Sequence, residues 1–153
     1  MPAEQLRTYL DSQQVKYVSI RHSKAYTAQE AAASAHISGR EMAKTVIVRL
    51  GEQPAMCVLP ANEKIDLEAL KKASGAKMAA LADEHEFAQL FPDCEIGAMP
   101  PFGNLYKMPV YVWKDLAEDE EIAFNAGSHT ELFRVSYKDF ARLVNPTIVD
   151  PKA

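Results

Sequence analysis

The sequence predicts a single α/β domain of the α+β kind, with a mixed, mostly antiparallel sheet curled toward a barrel and helices around it. Three observations carry this reading. Seven or so strand-like runs recur, several joined by connections of hairpin length. Capped helical segments fall between them irregularly rather than after every strand. The 153 residues, 48% hydrophobic and 25% charged, contain no repeat, low-complexity stretch or dividing linker, so one domain over residues 1–153 is expected. A fold of this size buries about 68–70% of its unfolded surface, enough interior for a pocket. A doubly wound parallel sheet fits the order of elements less well.

From the N-terminus, Leu6, Tyr9 and Leu10 recur at helical spacing between Ala3 and about Gln13, and the run from Lys16 to Ile20 reads as a strand. Thr27 with Glu30 three residues on forms a capping box before an alanine-rich helix, expected to end near Gly39. Strands over Thr45–Leu50 and Met56–Leu59, with a turn at Gly51–Pro54, read as a hairpin. Asp66 caps a helix from Leu67 that stops at Gly75, a strand over Lys77–Leu81 follows, and another helix is expected across Asp83 to Phe91. After a Gly- and Pro-rich loop, Gly97–Gly103, come strands at Val110–Trp113, Glu121–Phe124 and near Leu132–Val135, then a final helix, Tyr137–Val144, capped by Ser136.

The longest apolar runs fall far short of the roughly twenty residues a membrane helix needs, and the N-terminus lacks the basic and apolar regions of a signal peptide. A cytoplasmic protein with no membrane partner is the expectation. Cys57 and Cys94 stand far apart without ligand spacing, so neither a disulfide framework nor a zinc site is expected, and core packing is their predicted role. The net charge of -4 argues against a protein held on nucleic acid by bulk electrostatics. Residues 1–80 nevertheless carry eleven Lys or Arg against eight Asp or Glu, whereas residues 81–153 carry six against thirteen. A local phosphate contact on the first half remains compatible with the whole.

Two motifs fail on inspection. Gly39–Thr45 resembles a phosphate loop, but Ala43 stands where the glycine before lysine belongs and the segment runs into a strand. His85-Glu86 opens a zinc-protease motif whose second histidine is replaced by Gln89, so no metal is expected. Three features survive. Lys44 sits at the mouth of a buried-looking strand, where an ammonium can turn into a pocket, although lysines in such places commonly snorkel to solvent. Gly127-Ser128 after a strand can turn backbone N–H groups toward an oxyanion, or can be an ordinary hairpin turn, and His129 follows it. The loop Gly97–Gly103 combines a stiff diproline with glycines that allow close approach, with or without a ligand.

Taken together, six segments in order resemble the YbaK/ProX superfamily of aminoacyl-tRNA editing domains, which is similar to the editing insertion of bacterial prolyl-tRNA synthetase. They are Thr27–Ala32, Ala43–Val48, Leu67–Ala76, Gly97–Gly103, Pro109–Val112 and Phe124–His129, and they span nearly the whole chain. The resemblance implies a free-standing deacylase that acts in trans on the acceptor end of a mischarged tRNA, without cofactor or metal. It would remove a small amino acid such as Ala, Ser or Cys, with mischarged tRNA(Pro) the expected substrate and an aminoacyl-tRNA synthetase a further partner. It also implies that Lys44 lies near the terminal ribose, that Gly127, Ser128 and His129 face it, and that Gly97 and Gly103 close the amino-acid pocket. Thr45, Pro100, Pro101 and Phe102 are the remaining substrate-binding residues expected.

The chemistry is coherent, because an aminoacyl ester is already activated. A site has to hold the carbonyl, stabilise the oxyanion and place a water, with no covalent nucleophile required. Lys44 would favour the developing negative charge, and the amides of Gly127 and Ser128 are candidate oxyanion donors. Two alternatives stay open at this level: a non-catalytic tRNA- or nucleotide-binding module of the same fold, and an unrelated hydrolase using Ser128 with His129.

Overall fold

The computed structural model describes residues 4–151 except Tyr26, Glu84, Glu86, Phe87 and Asp93, and the backbone alone of Ser34. Among these residues, eight strands form two sheets. The first has three strands in the order β1 (Val18–Arg21), β7 (Glu131–Ser136), β6 (Glu121–Ser128). The second has five, in the order β4 (Ala79–Leu81), β2 (Ala43–Leu50), β3 (Gln53–Pro60), β5 (Val110–Trp113), β8 (Thr147–Val149). Strand β5 runs parallel to β3 and β8, and the other pairs are antiparallel, so the assembly is mixed and mostly antiparallel as predicted. The curl stops short of a closed barrel. The sheets meet through an isolated parallel bridge, Met42 to Ala123, where the Ala123 amide donates to the Glu41 carbonyl at 3.0 Å.

The helices follow local sequence closely. Helix α1 (Glu4–Ser12) buries Leu6 and Leu10, one turn apart, against the core. Helix α2 (Ala28–Ser34) is capped by Thr27, whose hydroxyl accepts from the Glu30 amide at 3.0 Å. It ends five residues short of Gly39. His36 takes a left-handed conformation, φ 58°, and the Ile37 amide returns to the Ala32 carbonyl at 2.8 Å, the bond pattern of a Schellman stop. Helix α3 (Leu67–Ser74) has Asp66 accepting from Ala69 and stops at Gly75. Helix α4 (Lys114–Ala117) is a single turn with no counterpart in the sequence reading, as is β8. Helix α5 (Tyr137–Val144) has its predicted bounds, with the Ser136 hydroxyl accepting from the Asp139 amide. The helix expected across Asp83 to Phe91 lies partly outside the described residues, which include a 3-10 turn at Ala88–Leu90.

Residues 55–59 of β3 are all fully buried, because helices or the other sheet cover both faces of the second sheet. Alternate residues serve different cores. Ile47, Met56, Val58, Phe124 and Phe133 share one cluster with α1 and α5, while Val48, Cys57, Leu59 and Trp113 pack with Leu70 of α3 on the other side. Cys57 packs there as expected, and burial pushes its thiol up to about 12, so it is inert. No helix of the described residues is long and apolar enough to cross a membrane.

A buried charge ties α1 to the first sheet. Glu131, 5% exposed, accepts from the Arg7 guanidinium and the Ser19 hydroxyl, and Arg7 also lies over the Phe133 ring, 4.8 Å from its centroid. Burial alone would push the Glu131 carboxyl up; the Ser19 and Arg7 bonds outweigh it, leaving the group below its ordinary value. The folded state therefore sheds this proton more readily than the unfolded chain, so the pair stabilises at neutral pH and that contribution is lost as pH falls through the carboxylate range. Arg7→Met strands the carboxylate and is expected to cost about 1–3 kcal/mol at pH 7. Urea titrations at pH 7 and pH 3 check this: the difference between variant and wild type should shrink at pH 3. An undiminished difference there would assign the loss to packing alone.

Candidate active site

Met42, the residue before β2, is bridged to Ala123 of β6, which brings the start of β2 beside β6. Lys44 and Asn125 each lie two residues beyond this bridge, on the face of their strand that Met42 and Ala123 share, because side chains alternate along a strand. At this point a cavity of about 220 Å³ opens. Among the described residues its polar side chains are Lys44, Thr45 and Asn125, and Ala28, Ala43, Val46, Gly97 and Met99 also line it. Lys44 is half-buried, and desolvation lowers its ammonium below the ordinary 10.5, with Glu63 pulling the other way. The site thus presents a partly desolvated cation from β2 and a neutral amide from β6.

The loop that carries Gly97 is fastened to the end of β6. The Glu95 amide donates to the Gly127 carbonyl at 2.8 Å and the Gly127 amide to the Ala98 carbonyl at 2.9 Å. The pairing of β6 with β7 shifts register between Asn125 and Ser128, and Gly127 takes φ 94°, a conformation that a side chain would strain. His129, 6% exposed, adds a third tie, with Nε2 2.9 Å from the Ile96 carbonyl and 4.0 Å from the Glu95 carboxylate. Ser128 is buried, and its hydroxyl lies 3.3 Å from that of Thr130. Gly127 and Ser128 therefore belong to the strand, and the turn falls at His129 and Thr130.

Of the residues singled out by sequence, Lys44, Thr45 and Gly97 come together at the cavity. Gly127, Ser128 and His129 lie behind its loop wall, and the Gly127 amide is occupied by Ala98 rather than turned toward an oxyanion. Pro100, Pro101, Phe102 and Gly103 run on from Met99 into the interior and are not among the lining residues. Phe102 is fully buried between Tyr9, Phe124 and Phe140. Gly103 is glycine for want of room: an added Cβ would sit 2.6 Å from both the Met108 carbonyl oxygen and Val110 Cγ2. Asn125 was not among the predicted site residues, although a lone amide inside the apolar run Ile122–Ala126 is an unusual strand composition that marks it. Among the described residues no group of three or more His, Cys, Asp or Glu is placed to hold a metal.

The chain is similar to known proteins in sequence and in fold. The multifunctional Ser/Thr-tRNA deacylase ProXp-y of Escherichia coli K12 is 32% identical over 99 residues, which cover 64% of this chain and 59% of that protein, so the match spans less than two thirds of the relative. Among solved structures, the hypothetical protein APE2540 superposes with a TM-score of 0.85 at 19% identity, over 96% of this chain and 98% of that one. A candidate trans-editing enzyme for prolyl tRNA synthetase gives 0.81 at 22%, over 97% and 94%. These two likenesses show the fold. The aminoacyl-tRNA editing domain profile matches residues 22–143, a span that includes both cavity walls with Lys44 and Asn125, and the chain belongs to that family.

Proposed function

We propose that the chain is a trans-editing deacylase that hydrolyses the ester of a mischarged tRNA bearing a small amino acid. The observation that carries this reading is the juxtaposition of Lys44 and Asn125 across a cavity of about 220 Å³. Pockets for drug-sized ligands start at about 300 Å³, so this one suits an aminoacyl group of a few heavy atoms, with the terminal ribose at its mouth. On this reading the site selects by the size and shape of the side chain, which is the discrimination that a synthetase cannot make against a smaller competitor.

In the reaction, water attacks the ester carbonyl, the bond to the ribose oxygen breaks, and the free amino acid leaves with the ribose hydroxyl restored. Lys44 stays an ammonium and stabilises the oxyanion, its effect strengthened by partial desolvation. Gly127, Ser128 and His129 act one step removed, by holding the loop that carries Gly97. The relative's name supports Ser and Thr as substrates, and Ala and Cys satisfy the same size limit. The tRNA acceptor end is the macromolecular partner, tRNA(Pro) the candidate carrier, and a synthetase the candidate source of the substrate.

A deacylation time course on one tRNA(Pro) carrying Ser, Thr, Ala, Cys or its cognate Pro tests this. Release of at least one small amino acid, at about tenfold or more over spontaneous hydrolysis and with the cognate ester spared, is expected. Binding of tRNA without release from any member would instead make the domain a non-catalytic module.

A further inference from the structure

One residue that lines the cavity carries a polar atom that the fold leaves without a partner. Asn125 is 9% exposed, and its side-chain oxygen Oδ1 is buried with no hydrogen bond, to Lys44 or to any other group of the described residues. A buried amide oxygen left unmet costs about 1–3 kcal/mol, and unlike a hydroxyl it has no proton of its own to redirect. The neighbouring strand residues Ile122, Ala123, Phe124 and Ala126 are all apolar and fully buried, so an apolar residue at 125 would suit the strand better. The position is polar at the expense of stability, and it opens onto the cavity.

We infer that Oδ1 of Asn125 accepts a hydrogen bond from the α-ammonium of the aminoacyl group, fixing which way the ester carbonyl points. This inference rests on the deacylase reading and adds the residue that orients its substrate. Three features favour the α-ammonium over other donors. It is present on every aminoacyl ester, so the acceptor is met whichever small amino acid enters. It is a cation, and the Lys44 ammonium, which lines the same cavity from β2, repels it. Among the described residues the lining holds no carboxylate, so Thr45 and Asn125 are the described side chains able to accept from it. With the ammonium on Asn125, the ester oxygens fall toward Lys44, where negative charge develops. A neutral amide performs this task where a carboxylate would not, because a carboxylate would pair with Lys44 and close the site.

The test uses one tRNA carrying three esters: Ser, Ala, and the glyceryl ester in which the α-amine of Ser is replaced by hydroxyl. Wild type is compared with Asn125→Leu, similar in size and apolar, and with Asn125→Ala. Both variants are expected to lose about 10- to 100-fold in kcat/KM on the Ser and Ala esters. On the glyceryl ester, whose donor is neutral, the loss is expected to be less than about threefold. Asn125→Leu should melt no lower than wild type, because it removes an unmet buried acceptor. Equal losses on all three esters would make Asn125 structural and overturn the inference, as would undiminished rates on the Ser and Ala esters. Loss on the Ser and glyceryl esters with the Ala ester spared would assign Oδ1 to the side-chain hydroxyl and overturn it as well. In these cases wild-type turnover leaves the deacylase reading standing; a wild type that releases none of Ser, Ala, Thr and Cys would overturn both.

Discussion

Replacing Lys44 by Met is expected to slow deacylation about 10²- to 10³-fold, the usual effect of deleting one preorganised donor to an oxyanion, and at the same time to raise the melting temperature. The two effects have one cause. Half-burial of the ammonium makes it a stronger electrostatic partner for developing charge and a costlier group to fold around. Its pKa in the folded protein lies below the 10.5 kept by the unfolded chain. Between those two values the unfolded state holds a proton that the folded state has shed, so wild-type stability rises with pH across that window, and at neutral pH the charge is a cost. Met keeps the aliphatic stem and removes the charge, so the pH dependence flattens and the melting temperature rises by a few degrees at most. Wild-type turnover above background should fall as Lys44 loses its proton, at a pH below 10.5. Kinetics and thermal melts on the same preparation check the argument. Turnover within about threefold of wild type would remove Lys44 from the chemistry; a lower melting temperature would make it a structural partner of Glu63.

What could be read from the sequence follows the range of the interactions involved. Thr27, Asp66 and Ser136 each announce a helix because a cap is satisfied within three residues, and all three do so in the fold. The β2–β3 hairpin is likewise local, with Leu50 pairing Gln53 across the turn. Helix α2 ends before the expected Gly39, and the sequence hides this because the alanines carry no stop signal and His36 is a rare residue at a left-handed position. Strand β8 has no local signature because it is three residues long, two of them exposed, and it pairs with β5. The cavity is the least local feature. Its walls belong to segments about eighty residues apart in sequence and meet through Met42 and Ala123, two apolar residues that nothing in the local pattern pairs. Lys44 could be suspected because a cation at a strand mouth is conspicuous. Asn125 could be placed only once the bridge set it opposite Lys44.

Phe102→Ala separates the pocket from the core most sharply, and a loss of about 3–5 kcal/mol is expected. Its ring meets Phe124 and Phe140 in edge contacts with centroids 5.5 and 5.4 Å apart, and Tyr9 of α1 at 6.5 Å. One side chain thus joins a strand of the first sheet to helices α1 and α5, and deleting it leaves a void that these three rigid elements cannot collapse to fill. For a chain of this length the loss corresponds to a fall of about 6–20 °C in melting temperature. Editing selectivity is expected to survive in the molecules that stay folded, because Phe102 lies in the interior behind Met99 while the cavity ends at Gly97 and Met99. A role for Phe102 as a wall of the amino-acid site makes the opposite forecast: little change in melting and faster release of amino acids with larger side chains, since truncation would enlarge the pocket. Measuring the melt beside the rates on Ser- and Leu-charged tRNA distinguishes the two. Broadened selectivity at wild-type stability would move the loop Pro100–Gly103 out of the core's support and into the substrate's surroundings.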